Sequence, residues 1–198
     1  PRKELFKQPF ERSFNLAKTG DFAFWLEVGQ EKNNLLVLNL EKQSKQNFEQ
    51  EKRLFQAVPF YGNEALLLQA EKAGPLMELN TINLESGMSE NIRKAGRIQL
   101  SHFTPKGVIL REFQAPGSPA EYVFIGFDQK IKELGSFPDL NDLFFSRNLD
   151  PIAARRSHDD GSSELRGRKN HQWKVLQKYP WNEGVFLGGL QKVLSVSA

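Results

Sequence analysis

The chain has no cysteine among its 198 residues. That excludes disulfides, thiolate metal centres and a cysteine nucleophile, and it fits a reducing, cytoplasmic setting. Histidine is nearly as scarce. His102, His158 and His171 stand apart in sequence, so a structural zinc site is not expected. Methionine occurs twice against sixteen phenylalanines, which points to a core of rigid aromatic side chains. No apolar run approaches the roughly 18 residues that a spanning helix needs, so no membrane partner is expected. The basic N-terminus "PRKELFKQPF" lacks the apolar stretch of a secretory signal. Missing too are the glycine patterns that cradle phosphate and the G-x-S-x-G nucleophile turn. These absences imply no cofactor and assign no catalytic residue.

What remains is ordinary for a folded domain: 39% hydrophobic and 26% charged residues, with a net charge of +3. The length suits a single domain spanning residues 1–198. A start at Pro1 without methionine reads either as a trimmed initiator or, favoured by the apolar close "VLSVSA", as a domain cut from a longer protein. No internal repeat is evident.

Alternation marks several strands. In "FAFWLEV" (Phe22–Val28) the residues Phe22, Phe24, Leu26 and Val28 share one side, and "LLVLNL" (Leu35–Leu40) returns as a covered strand. "EALLLQAEK" reads as strand or helix with the strand preferred, "LMELNTINL" reads as a strand, and "RIQLSHF", "GVILREF" and "EYVFIGF" follow as an antiparallel meander joined by "TPK" and "QAPGSPA". "HQWKVLQ" and "GVFLGGLQKVLSV" close the chain as strands. Helical spacing appears elsewhere: Phe10, Phe14 and Ala17; Phe48, Lys52 and Phe55 behind a Ser44 cap; "SENIRKAG" as a short helix or turn; and Leu140, Leu143 and Phe144 after Pro138. The expected fold is therefore β-rich α+β: a mostly antiparallel sheet curling into an open or pseudo-barrel, with two to four short peripheral helices.

The most unusual chemistry lies in an expected basic loop at about 147–172. Between Arg147 and Lys178 stand eight Lys or Arg against four acids. Arg147, Arg155, Arg156, Arg166, Arg168 and Lys169 offer guanidinium forks and an ammonium that suit phosphate oxygens or guanine edges, and Asn170 offers an amide suited to a base. This predicts a DNA-binding module, with double-stranded DNA the favoured partner, such as the recognition domain of a nuclease or another nucleic-acid enzyme. The acids within the stretch work against it, because they repel phosphate.

Two alternatives stand beside that reading. Asp128 and Lys130 in "FIGFDQK" match the D/E-x-K half of an Mg²⁺-dependent nuclease, which would need Glu112 or Glu121 as a second acid; "NLEKQ" around Glu41 offers a weaker copy. The other alternative is a protein–protein interaction scaffold that uses phenylalanine-rich surface left by edge strands. "SHDDG" (157–161) reads as a turn in which an aspartate accepts local N–H bonds, and not as a metal site.

Overall fold

The computed structural model describes residues 10–28, 33–71 and 74–180. These form sixteen strands and no helix. The strands group into four antiparallel sheets of four, each a meander whose spatial order follows the chain. Sheet 1 comprises β1 (Phe10–Leu16), β2 (Phe22–Val28), β3 (Asn33–Asn39) and β4 (Ser44–Gln50). Sheet 2 comprises β5 (Arg53–Pro59), β6 (Glu64–Ala70), β7 (Met77–Asn83) and β8 (Ser89–Ala95). Sheet 3 comprises β9 (Arg97–Thr104), β10 (Gly107–Phe113), β11 (Glu121–Gly126) and β12 (Ile131–Ser136). Sheet 4 comprises β13 (Asp142–Phe145), β14 (Pro151–Ser157), β15 (Ser163–Lys169) and β16 (Gln172–Tyr179). Contacts divide the chain into two compact units, Pro1–Gly135 and Ser136–Ala198. The first strands begin at Phe10, Arg53, Arg97 and Asp142, a period of about 44 residues. The repeat that side-chain identity does not announce is therefore present in the backbone.

In the first unit two apolar cores flank sheet 2. Phe22, Phe24, Leu26, Leu35 and Val37 of sheet 1 meet Leu54, Ala57, Leu67 and Ile82 of sheet 2. On its other side Val58, Phe60, Leu66, Leu68 and Leu79 meet Ile98, Val108, Leu110, Val123 and Ile125 of sheet 3. Because sheet 2 is covered on both faces, β6 is buried from Ala65 to Ala70 and shows no polar alternation. Truncating Leu67 to alanine in this double-sided core would cost roughly 2–5 kcal/mol.

The expected helices are strands. The stripe Phe48, Lys52 and Phe55 does not wind around one axis: Phe48 lies on β4, Lys52 in the following turn and Phe55 on β5. The segment holding Phe10 and Phe14 is β1, "SENIRKA" is β8, and "DLFF" is β13. All four are edge strands of their sheets. On β4 and β8 most side chains are exposed, so the alternation that betrays a strand is missing. Nor does a barrel close, since the sheets remain four separate meanders. The expected 147–172 loop is largely β14, β15 and their turns, and the expected strand "GVFLGGLQKVLSV" lies outside the described residues.

Candidate functional site

Arg156, Arg166 and Arg168 share one face of sheet 4 with an acid, Glu164, and Arg155 leaves by the other face. Arg155 and Arg156 are consecutive on β14, so their side chains leave opposite faces of the sheet. In the register, Arg155 lies opposite Leu165, while Arg156 lies opposite Glu164 and Ala154 opposite Arg166. Arg155 is taken by Asp142 at 2.8 Å. Arg166 donates through both Nε and Nη2 to Glu164, at 2.9 and 2.7 Å. Lys178 and His158 approach the same carboxyl at 3.5 and 3.6 Å. Glu164 is buried, and the Arg166 hydrogen bonds hold its carboxyl below the usual glutamate range. Arg168 lies over the Trp173 ring at 5.8 Å. Arg147 is exposed in the turn between β13 and β14, and Lys169 and Asn170 sit at the β15–β16 turn. Asn170 is used there for its backbone, with φ of 50°. A polyanion needs one outward positive surface. Here the guanidiniums are divided between two faces, and two of them are neutralised by their own sheet.

The nuclease constellation also comes apart. Asp128 and Lys130 pair with each other at 2.8 Å on the exposed turn between β11 and β12. Lys130 draws the Asp128 carboxyl below its usual value. Gly107 pairs with Gly126 at that end of sheet 3, whereas Glu112 pairs with Glu121 five residues further along, roughly 17 Å away at strand rise. Glu112 is moreover fully buried and held by Arg93. The Glu41 copy occupies the corresponding β3–β4 turn, and Gln43 and Gln129 both carry the positive φ that this hairpin needs, 52° and 61°. Both tripeptides fall in hairpin turns, with the positive φ on the third residue of one and the second of the other. Among the described residues no group of three His, Cys, Asp or Glu could hold a metal ion. Asp160, as expected, closes a turn by accepting from the Ser162 N–H at 2.9 Å.

A concave feature of the first unit lies where no motif pointed. An open groove of about 830 Å³ sits at one end of sheets 2 and 3, floored and walled by Phe55, Leu68, Leu76, Met77, Ile98 and Phe113. Gly96 permits its shape, because a Cβ there would stand 2.5 Å from the Gln114 carbonyl oxygen, so the link from β8 to β9 can press onto the end of β10. The Met77 sulfur accepts from the Ile98 N–H at 3.4 Å and ties the two sheets at the groove. Phe55 is 39% and Leu76 48% exposed, large apolar side chains left in water.

Guanidiniums rest on both phenylalanine rings. Arg53 lies over Phe55 at 5.2 Å, and Arg97 and Arg111 lie over Phe113 at 5.9 and 5.0 Å. Arg97 stands opposite Phe113 in the β9–β10 register, which is what brings them together. Sequence reasoning missed this groove because its residues are scattered over about sixty positions. The one available signal was the repeat: Arg53 and Arg97 each open the first strand of a sheet.

No protein-family model and no curated protein matches the chain. Solved structures do. The β-propeller domain of the Trilobed protease from Pyrococcus furiosus, described as having an open velcro topology, aligns with a TM-score of 0.64 at 12% identity, over 86% of this chain and 58% of that one. A prolyl endopeptidase structure aligns at 0.61 with 14% identity, over 89% of this chain and 31% of that one. An oligogalacturonate lyase in complex with manganese aligns at 0.53 with 11% identity, over 86% and 54%. The chain thus spans less than two thirds of each. This architecture, together with the self-paired basic hairpin, overturns the expected α+β barrel and the DNA-binding and nuclease readings built on it. At such low identity the likeness establishes a fold alone: four-stranded antiparallel blades of the β-propeller kind.

Proposed function

We propose that the chain is a protein-interaction scaffold whose sheet 2–sheet 3 groove receives a polypeptide segment of another protein. The observation that carries this reading is the open apolar groove with Phe55 and Leu76 exposed in it. Fully burying a side chain of this size stabilises by about 1.5–3 kcal/mol. Covering the exposed fractions of these two would therefore contribute about 2 kcal/mol to a complex. That suits reversible docking of a segment whose backbone and remaining side chains add the rest. Three prominent carboxylates are spent within the fold. Asp128 is paired with Lys130, Glu112 with Arg93, and Glu78 with Lys52 and Lys94, so each of these carboxylates is already engaged. Polypeptide is also what a protease and a prolyl endopeptidase act on, although the likeness to those proteins extends to fold only.

The test is selection from a random peptide library displayed on phage, with the full chain immobilised. Peptides that bind the parent protein and lose binding to a Phe55→Ser/Leu76→Ser variant of unchanged urea midpoint support the reading. Failure to enrich any peptide, or enrichment that ignores both substitutions, overturns it.

A further inference from the structure

Resting on that groove reading, we infer that the docked segment is acidic as well as apolar, an extended peptide that sets carboxylates beside bulky apolar side chains. Two rings line the groove, Phe55 and Phe113, and a guanidinium lies on each. A guanidinium lying over a ring still has N–H groups to offer a carboxylate; Arg97 directs Nε and Nη2 to the Gln99 amide oxygen, whose place a ligand carboxylate would take. Its planar face also extends the apolar surface on which a ligand side chain can lie. Arg53 and Arg97 occupy equivalent places, each the first residue of the first strand of its sheet, so both side chains belong to the same end of consecutive sheets.

Glu121 stands beside this end, where it accepts from the Gln114 amide at 3.3 Å, but the lining itself is one-sided. The residues lining the groove include Arg97 and no aspartate or glutamate. Neither Arg53 nor Arg97 forms an ion pair with a carboxylate among the described residues; Arg97 engages only the Gln99 amide, whose oxygen accepts at 2.8 Å when turned toward it. Arg93, Lys52, Lys94 and Lys130 behave differently, since each already holds a carboxylate within 3.0 Å. The first unit thus neutralises these cations internally and leaves uncompensated positive charge at its apolar concavity. A basic peptide would meet that charge unfavourably, and a neutral apolar one would leave it unanswered. An acidic one completes it, and the gain appears chiefly in specificity and association rate.

The experiment measures fluorescence anisotropy of a short fluorescein-labelled peptide alternating aspartate with leucine or phenylalanine. Two comparison peptides replace the aspartates by lysine or the apolar residues by serine. The acidic apolar peptide should bind the parent chain, more tightly at low than at high salt, and both comparison peptides should bind at least about tenfold more weakly. The Arg53→Glu/Arg97→Glu variant should invert the preference and take the lysine peptide over the aspartate one, a gain that a misfolded variant cannot produce. Equal affinity of the parent for the aspartate and lysine peptides, binding of neither, or unchanged aspartate-peptide affinity in the double variant would overturn the inference. Each of those results leaves the groove reading to be judged separately, by whether library-selected peptides depend on Phe55 and Leu76.

Discussion

Replacing Arg93 by methionine should destabilise the fold more than any exposed charge substitution, because it strands a buried carboxylate. Glu112 lies on β10 with its side chain wholly out of solvent, and Arg93 Nε donates to both of its oxygens, at 3.0 and 3.1 Å. A second guanidinium nitrogen reaches Glu133 at 3.0 Å, but Glu133 is 59% exposed, so water screens that arm to below about 1 kcal/mol. Breaking one partner of a buried pair costs about 3–5 kcal/mol. Arg93 itself is 25% exposed, which places the expected loss near the lower end, about 3 kcal/mol. For a chain of this length that is a fall in Tm of about 6–12 °C.

The reverse truncation, Glu112→Leu, should cost less, because Arg93 keeps Glu133 and can lean toward solvent. The double variant Arg93→Met/Glu112→Leu should return to within about 1 kcal/mol of the parent, since a packed apolar pair replaces a desolvated ionic one. Urea denaturation of all four proteins closes the cycle. A single-variant loss below about 1 kcal/mol, or single effects that simply add, would refute the claim that this pair is coupled across sheets 2 and 3.

Three further outcomes follow from local geometry. Gly107→Ala drives a Cβ into the Ile125 carbonyl oxygen and within 2.8 Å of Gly126 Cα, so the variant should lose about 3 kcal/mol or more, or fail to accumulate folded, as read by circular dichroism. Gln129→Gly relieves a φ of 61° in an exposed turn and should raise stability by roughly 0.5–1 kcal/mol in urea; a loss instead would show that the turn is held by the Gln129 side chain. Glu78 is held below the usual glutamate range, first by the Lys52 hydrogen bond and then by Lys94. A lowered folded pKa contributes stability that is present above the ordinary value and lost as pH falls through the folded one. Glu78→Gln should therefore flatten the decline in urea midpoint as pH falls below about 4.5, and an unchanged acid limb would sink this assignment.

Where one face is covered, the strands were legible. Phe22–Val28 alternates because Phe22, Phe24 and Leu26 enter one core while Trp25 faces away, and the meander Arg97–Phe103, Gly107–Phe113 and Glu121–Phe127 was legible from short apolar runs between turns. Legibility failed at β1, β4, β8 and β13, which form edges, and on β4 and β8 most side chains are exposed. On the polar β4–β5 stretch, aromatic residues from two different strands fell by chance at helical spacing. The basic excursion misled for a different reason. Charge composition counts arginines, but only register shows that Glu164 sits among them and that Arg155 faces the other way.

The two acid-led tripeptides make the deeper point about this chain. Their chemistry resembled half a metal site, yet each occupies the turn between the third and fourth strands of a blade. Positive φ recurs there, at Gln43, Gly87, Gln129 and Asn170, at intervals of about 40–44 residues. Turn geometry tolerates glutamine, glycine or asparagine, so the period is invisible to residue identity and plain in φ. The same period puts Arg53 and Arg97 at equivalent strand starts, where geometry does not demand arginine. A residue type that recurs where the backbone is indifferent calls for an explanation outside folding. In this chain the recurring pair borders an apolar groove with no acid of its own, which is why those two positions, and not the denser cluster near the end, carry the functional argument.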